Sequence, residues 1–166
     1  MDLLGTHRFS WEAVRRLAIE CHALDSAAYS LLADSILDDK AGKIRVVYEE
    51  LFTEKLLALA IGLRVKFYQG ADPAETGRFA NDCGLFYKLN GEDEQGPLGF
   101  TFKDVADKII HANNIEKSVG TSSEAEITTL YGAESRHGKP VSWKLSLSVT
   151  LFTECVLNWV AAREAE

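Results

Sequence analysis

The sequence predicts an α+β domain that is mostly helical: an antiparallel helical bundle with a C-terminal β-hairpin and a closing helix. Apolar residues recur every three or four positions over residues 11–69, which is the periodicity of packed helices. The periodicity changes to two over residues 141–149, where apolar residues alternate with serine and lysine. A last apolar helix follows from Thr150. The length fits a single domain over residues 1–166.

The first helix begins after Ser10, whose hydroxyl can accept a hydrogen bond from an unpaired backbone N–H. The apolar residues that follow share one side of a helix: Trp11, Val14, Leu17, Ala18, Cys21 and Leu24. The pattern continues to Ile36, and Gly42 closes the segment. Asp25 and Ser26 either start a new helix or interrupt one long helix.

The second helix is predicted over residues 43–69, which contain no proline. One apolar face steps along its whole length: Tyr48, Phe52, Leu56, Leu59, Leu63 and Phe67. A helix of this length is a rod of roughly 40 Å, long enough to be the spine of the domain. Its middle is apolar all round, so we expect neighbours on several sides. Gly70 provides a natural stop.

Residues 71–99 are broken up by glycine and proline and include an acidic loop, so we expect a surface excursion. Within this excursion, residues 85–89 predict a short strand or an extended segment.

A third helix is predicted over residues 101–114. Thr101 and Asp104 resemble a capping box, in which side chains at both positions satisfy backbone N–H groups, although aspartate replaces the usual glutamate or glutamine. Asn113 and Asn114 tolerate left-handed backbone angles and are the expected stop.

The C-terminal third predicts a hairpin and a helix. Residues 126–131 are rich in strand-forming types, and the alternating segment 141–149 is the second strand. A lone hairpin is marginal in water, so it must pack on the helices or gain a partner strand. Thr150 is the expected cap of the closing helix, whose inner face comprises Leu151, Phe152, Cys155, Val156 and Trp159.

Composition limits the function classes. The net charge is −7, from 25 acidic and 18 basic residues, which gives no overall attraction to nucleic acid or to an anionic membrane. The three cysteines are scattered and form no C-x-x-C motif, which favours a reducing, cytoplasmic setting. The longest apolar run, residues 56–63, is too short to span a bilayer. Phosphate-binding loops and H-E-x-x-H are absent from the sequence, so we expect no cofactor and no metal.

The best-placed polar cluster is Asp104, Asp107 and His111, at positions i, i+3 and i+7 of the third helix and opposite its apolar stripe. An aspartate beside an imidazole can raise its basicity, so these are the candidate catalytic residues. The same three groups could instead begin a metal site, which would require further ligands. A third interpretation is a solvated helix face with an exposed Asp107–His111 pair.

Two further residues are candidates for polar binding, Arg64 and Asn114. If Arg64 lies inside the bundle it needs a carboxylate, which Asp104, Asp107 or the segment 50–54 could supply. Otherwise its stem lies on the core and its guanidinium reaches water.

Three weaker patterns have ordinary structural explanations. Arg16 and His22 fit a loose R-x4-6-H ribonuclease pattern, which a boundary-face histidine explains as well. The basic hairpin tip, Arg136, His137 and Lys139, could meet an anion or simply form a solvated turn. The three tryptophans lie on apolar stripes and are predicted to anchor the core: Trp11, Trp143 and Trp159.

The segment Asp107-Lys-Ile-Ile-His111-Ala, followed by Leu130-Tyr-Gly132 and Trp143-Lys-Leu-Ser-Leu, resembles a group of uncharacterised bacterial helical proteins. In that group a "KIIHA" helix precedes a β-hairpin and a closing helix. The likeness covers residues 45–162 and implies no particular activity.

The helical half is similar in outline to HEPN-type bundles, which include RNA-cutting toxins and non-catalytic dimerising relatives. Their signature places an arginine shortly before a histidine on a late helix. His111 lies on such a helix, but Val105, Ala106 and Asp107 occupy the positions expected for the arginine.

The preferred functional prediction is a non-enzymatic interaction or small-ligand-binding domain that forms a homodimer. Its expected contact surfaces are the hairpin edge and the polar face of the third helix. The alternative is an HEPN-like ribonuclease or a degenerate toxin-system component acting through His111, in which case RNA is the partner. No membrane association is expected.

Overall fold

The computed structural model describes residues 9–32, 42–72, 77, 83–88, 101–118, 127–136 and 138–165. Within those ranges the chain forms four helices and a four-stranded antiparallel sheet. In chain order the elements are α1 Trp11–Leu32, α2 Lys43–Tyr68, β1 Gly84–Lys88, α3 Phe102–Ile110, β2 Ala112–Ser118, β3 Ile127–Arg136, β4 Lys139–Leu147 and α4 Val149–Glu164. The predicted class, a mostly helical α+β fold with a closing helix, is confirmed.

The first helix, α1, is continuous, so Asp25 neither ends it nor starts another. Ser10 caps it as predicted, because the Ser10 hydroxyl accepts a hydrogen bond from the backbone N–H of Ala13 at 3.0 Å. The predicted continuation to Ile36 lies outside the described residues.

The second helix, α2, ends at Tyr68, one residue before the predicted end. The N–H of Gln69 donates to the carbonyl of Val65 at 2.9 Å and completes the last turn. Gly70 follows with a φ of +95°, a left-handed conformation that glycine adopts without a steric penalty. The stop predicted at Gly70 is therefore confirmed.

Helices α1, α2 and α4 pack side by side in antiparallel order. Between α1 and α2, Glu20 pairs with Lys55 at 3.0 Å, and the Tyr48 hydroxyl donates to the Leu24 carbonyl at 2.9 Å. Later residues of α1 thus meet earlier residues of α2. On its other side, α1 contacts α4 through an ion pair between Arg15 and Glu164. These contacts confirm the antiparallel bundle.

The closing helix, α4, begins two residues earlier than predicted. Its cap is Ser148, whose hydroxyl accepts from the N–H of Leu151 at 3.4 Å, so the assignment of the cap to Thr150 is wrong. Leu151 is 45% exposed and does not belong to the inner face. The remaining residues predicted for that face are buried: Phe152, Cys155, Val156 and Trp159.

The sheet has the strand order β1-β4-β3-β2, and every neighbouring pair is antiparallel. The predicted hairpin is formed by β3 and β4, which turn at Gly138 with a φ of +76°. Both strands lie inside the sheet, flanked by β1 and β2. The expectation that the hairpin edge is a contact surface is therefore wrong, because that edge is already paired.

Two short segments differ from their predictions. The strand β1 lies at Gly84–Lys88, close to the segment 85–89 predicted to be extended. The third helix ends at Ile110 and not at residue 114, because Asn113 and Asn114 belong to β2. That strand has no alternating apolar pattern of its own, and pairing with β3 holds it in place.

The tryptophans anchor the core as predicted. Trp143 and Trp159 are almost completely buried, and Trp11 is half-buried. The Trp159 ring lies 5.0 Å edge-on from Trp11, and 5.7 Å from Phe102 at the start of α3. Aromatic contacts therefore tie α1, α3 and α4 together. Within the described ranges, no helix is long and apolar enough to cross a membrane.

Candidate functional site

The short helix α3 starts with the predicted capping box. The Thr101 hydroxyl accepts from the N–H of Asp104 at 3.3 Å. In return, the Asp104 carboxylate accepts from the backbone N–H and the hydroxyl of Thr101, each at 2.8 Å. Aspartate therefore replaces glutamate in this motif without losing either contact. One carboxylate of the candidate cluster is already used to start its own helix.

Asp107 forms an ion pair with Arg64 of α2. Asp107 is one of the carboxylates that were expected to pair with Arg64. Both side chains are partly exposed, at 23% for Arg64 and 31% for Asp107. Arg64 also donates to the Tyr68 hydroxyl at 2.8 Å, and its guanidinium lies 5.4 Å from the centroid of that ring. The pair joins α3 to α2 and fixes the direction of the Asp107 side chain.

Lys108, the next residue of α3, is held by the sheet. Its ammonium donates to Glu134 of β3 at 3.0 Å. It also lies 4.7 Å from the centroid of the Phe86 ring and 4.8 Å from that of Trp143, within the range of a cation–π contact. Lys108 thus occupies the aromatic surface that a cationic ligand would need.

His111 lies at the C-cap of α3, not within the helix, and its side chain is exposed. Its backbone N–H donates to the carbonyl of Asp107 at 3.0 Å. An open depression of about 580 Å³ brings together the predicted cluster and residues of the sheet: Asp104, Asp107, Lys108, His111, Ala133, Glu134 and Trp143. The three predicted residues therefore do face one space.

The chemistry available in this depression is limited by the existing contacts. A general base would need a carboxylate directed at the His111 imidazole. Asp104 is instead bonded to Thr101, and Asp107 is paired with Arg64. Among the described residues, no group of three or more histidine, cysteine or acidic side chains is placed to hold a metal ion, so the metal alternative for the Asp104, Asp107 and His111 cluster has no geometric support.

Asn114 lies in β2, away from the residues that line the depression. Its amide donates to Glu116 of the same strand at 2.8 Å, on an exposed surface. The structure therefore does not bring Asn114 together with the α3 cluster.

The loose ribonuclease pattern in α1 is not assembled into a site. Arg16 is exposed, whereas the His22 ring lies against Thr153 of α4, with Nδ1 3.2 Å from the hydroxyl. That hydroxyl donates to the carbonyl of Val149 at 2.8 Å, so it accepts from a His22 that carries its proton on Nδ1. His22 is a packing histidine. His137 at the hairpin tip lies outside the described residues.

A buried charge cluster was not predicted. Asp25 of α1 and Lys117 of β2 form an ion pair, and each side chain is only 2% exposed. The second carboxylate oxygen of Asp25 accepts from the N–H of Thr150 at 3.1 Å and from its hydroxyl at 2.7 Å. Asp25 thereby places negative charge at the start of α4, where the helix dipole favours it. The role of this cluster is structural.

The second feature that the sequence analysis missed is the outer face of α2. We define it as the residues that repeat at alternating steps of three and four on the side facing away from α1: Ile44, Val47, Leu51, Glu54, Ala58, Ile61, Val65 and Tyr68. Val47 is 61% exposed, Ile61 47% and Tyr68 79%. The sequence does carry this signal, as a second apolar stripe beside the buried one. Neighbours were expected on several sides, but the described residues leave five members of this face exposed, Ile44, Val47, Leu51, Ile61 and Tyr68, while Ala58 packs against the core.

No protein-family model matches the sequence, and neither the curated proteins nor the solved structures contain a significant match. The resemblances to the "KIIHA" group and to HEPN bundles stay predictions.

Proposed function

We propose that this protein is a non-enzymatic interaction domain that works as a homodimer, and that the outer face of α2 is its binding surface. The observation that supports this proposal is the apolar stripe along a helix of 26 residues, which only Glu54 interrupts and in which Ile44, Val47, Leu51, Ile61 and Tyr68 are exposed. At 1.5 Å per residue the helix is about 39 Å long, which gives the stripe the length of a coiled-coil seam.

Isolated exposed apolar residues are normal on any protein surface and need no explanation. The outer face of α2 differs because seven of its eight residues are apolar or aromatic and follow a heptad spacing. Such spacing is the pattern by which one helix packs into another. Contiguous exposed apolar surface of this kind commonly marks a protein–protein contact.

The contacts around α3 favour binding over catalysis. Both acids that would activate His111 already have protein partners, and Lys108 fills the aromatic surface of the depression. A small ligand would have to displace these contacts, whereas a partner helix on the outer face of α2 would leave them in place. For this reason we propose an interaction domain in preference to a small-ligand site.

The proposal is tested by placing a charge in the stripe. Ile61→Glu is expected to convert the dimer to a monomer, because each copy would bury a carboxylate at the contact. Ile19→Glu is the matched control, since Ile19 is 52% exposed on the outside of α1. Sedimentation equilibrium measures both. A wild-type protein that stays monomeric, or equal dissociation of the two variants, would refute the proposal.

The ribonuclease alternative makes a separate prediction. If His111 were a catalytic base, the wild type would cleave RNA and His111→Ala would not. We expect no cleavage by either protein, because the exposed imidazole has neither acid directed at it. Incubation with a mixed-sequence RNA, followed by gel electrophoresis, decides between the two; loss of cleavage in His111→Ala would establish the enzyme.

A cytoplasmic location belongs to the same proposal. Cys21, Cys83 and Cys155 are all free and buried, as expected of a protein that works in a reducing compartment.

A further inference from the structure

We infer that two copies of the chain pair α2 against α2 in antiparallel orientation, around a two-fold axis beside Leu57. This inference rests on the proposed function and adds to it the identity of the partner helix, its direction and its register. Three observations support it: the spacing of the outer face, the place of its one acidic residue, and the charges along its flank.

The spacing permits a full-length antiparallel overlap. When the two outer faces run in opposite directions and coincide from end to end, their residues meet in four kinds of layer: Ile44 with Tyr68, Val47 with Val65, Leu51 with Ile61, and Glu54 with Ala58. In heptad terms each layer joins an a position to a d position, as antiparallel coiled coils do. A shift by one heptad in either direction would leave part of the stripe unpaired.

The acidic residue distinguishes the two directions. Glu54 is the only charged member of the outer face. In a parallel dimer in register, Glu54 would face Glu54 of the second copy, and like charges opposite each other repel. In the antiparallel dimer it faces Ala58, the smallest residue of the stripe, which leaves room for the carboxylate to reach water.

The flank of the stripe carries complementary charge. Glu50, Leu57 and Arg64 are spaced by seven residues along one side of the outer face. In the antiparallel register, Glu50 lies beside Arg64 of the second copy, and two-fold symmetry repeats the pair. Leu57, which is 36% exposed, then meets its own copy at the axis. A parallel dimer would place no acidic flank residue beside Arg64.

Arg64 connects this contact with the rest of the molecule. Its guanidinium is held by Asp107 and by the Tyr68 hydroxyl, so it reaches the proposed contact already oriented. An oriented side chain loses less conformational freedom when it pairs. The depression beside α3 and the proposed contact thus share one ion pair.

Cross-linking tests the direction. Leu57→Cys is expected to give a covalent dimer with a short bis-maleimide, because the two cysteines meet at the axis. Val47→Cys is expected to give none, since antiparallel pairing separates its two copies by about 27 Å along the helix. Leu151→Cys on α4, 45% exposed, is the matched control for labelling away from the contact. The three native cysteines are buried, so we expect them to react little with the maleimide in the folded protein.

Charge reversal tests the register. Glu50→Lys is expected to raise the dimer dissociation constant about tenfold, because two symmetry-related attractions become repulsions. Glu154→Lys makes the same charge change on the exposed side of α4 and should leave the constant unchanged. Sedimentation equilibrium at low salt measures both variants.

The outcomes separate this inference from the proposed function. A dimer that cross-links through Val47→Cys, or one in which Leu57→Cys behaves like Leu151→Cys, overturns the antiparallel arrangement while the interaction domain stands. Equal dimer dissociation constants for Glu50→Lys and Glu154→Lys would overturn the proposed register. A wild-type chain that is monomeric at every concentration overturns both proposals, including the case in which another segment of the chain covers the stripe.

Discussion

At the scale of single residues, the ion pair of Asp25 and Lys117 is the most consequential feature of the core. It links α1 to β2, and through Thr150 it also links both to α4. The two charges are tolerated in the core because Asp25 and Lys117 form an ion pair and Asp25 also accepts hydrogen bonds from Thr150. Removal of either partner would leave the other charge buried without its opposite charge.

Asp25→Ala is therefore expected to lower the free energy of unfolding by about 3–5 kcal/mol, the typical cost of removing one partner of a buried ion pair. Glu12→Ala serves as the control, because Glu12 pairs with Arg15 on the surface and such pairs contribute about 1 kcal/mol or less. Urea unfolding followed by circular dichroism measures both. Equal losses in the two variants would show that the buried pair is not a stabilising contact.

Cys21 gives the fold a dependence on alkaline pH. Burial raises the pKa of its thiol from 9.0 to about 12. Above pH 9 the unfolded chain releases this proton while the folded chain retains it, so the free energy of unfolding falls as pH rises from 9 towards 12. At pH 10 the loss should be about 1 kcal/mol.

Cys21→Ala removes this titration and provides the comparison. Between pH 8 and pH 10 the free energy of unfolding of the wild type should fall relative to that of Cys21→Ala, as measured by urea unfolding. A difference that stays constant over this range would mean that the thiol is accessible to water.

Individual contacts were only partly predictable from the sequence. The partner of Arg64 was among the carboxylates expected for it, because a helix of known phase limits what an arginine can reach. The partner of Asp25 lies 92 residues away in β2, a strand that was not predicted. A contact cannot be inferred when one of its two elements is missing from the prediction.

At the scale of elements, the close packing of β3 against Trp143 and the end of α3 depends on Gly132 having no side chain. A Cβ atom on this residue would lie 2.2 Å from Cζ2 of Trp143 and 2.9 Å from the carbonyl oxygen of His111. Neither the indole nor the backbone can move easily, since Trp143 is only 1% exposed. The absence of a side chain at position 132 lets the Trp143 ring lie against β3.

Gly132→Ala is expected to destabilise the protein by about 2–3 kcal/mol through overpacking, and to change the tryptophan fluorescence. Gly138→Ala is the matched control: its φ is +76° but no atom of the described residues lies within 4 Å of a new Cβ, so the expected cost is the left-handed strain of about 1 kcal/mol. Thermal unfolding measures which of the two variants loses more stability. A larger loss for Gly138→Ala would contradict the close approach at Gly132.

Long elements were predictable, whereas the short strand β2 was not. The helices α1 and α2 carry many repeats of one periodicity, so their starts and ends were located within a few residues over the described ranges. The strand β2 consists of Ala-Asn-Asn-Ile-Glu-Lys-Ser and is mostly exposed. Its two asparagines suit a helix stop as well as a strand, and only pairing with β3 decides between them.

At the scale of the whole molecule, the two apolar stripes of α2 have different roles. The buried stripe is part of the core, whereas the outer face of α2 is the proposed contact with a second copy. Both stripes are present in the sequence, and the apolar residues all round the middle of α2 predict neighbours on several sides without indicating which side stays exposed. Which side stays exposed depends on how α1 and α3 pack around the helix. That arrangement follows from tertiary contacts and is not visible in a single periodic pattern.

The central claim is that the outer face of α2 is covered by a second copy in solution, and hydroxyl-radical footprinting over a range of protein concentrations tests it most directly. Tyr68 and Leu51 lie in the stripe, while Tyr29 and Ile19 are exposed on α1. Labelling of Tyr68 and Leu51 should fall as concentration rises, with Tyr29 and Ile19 unchanged. Labelling of the stripe that is independent of concentration would contradict the claim.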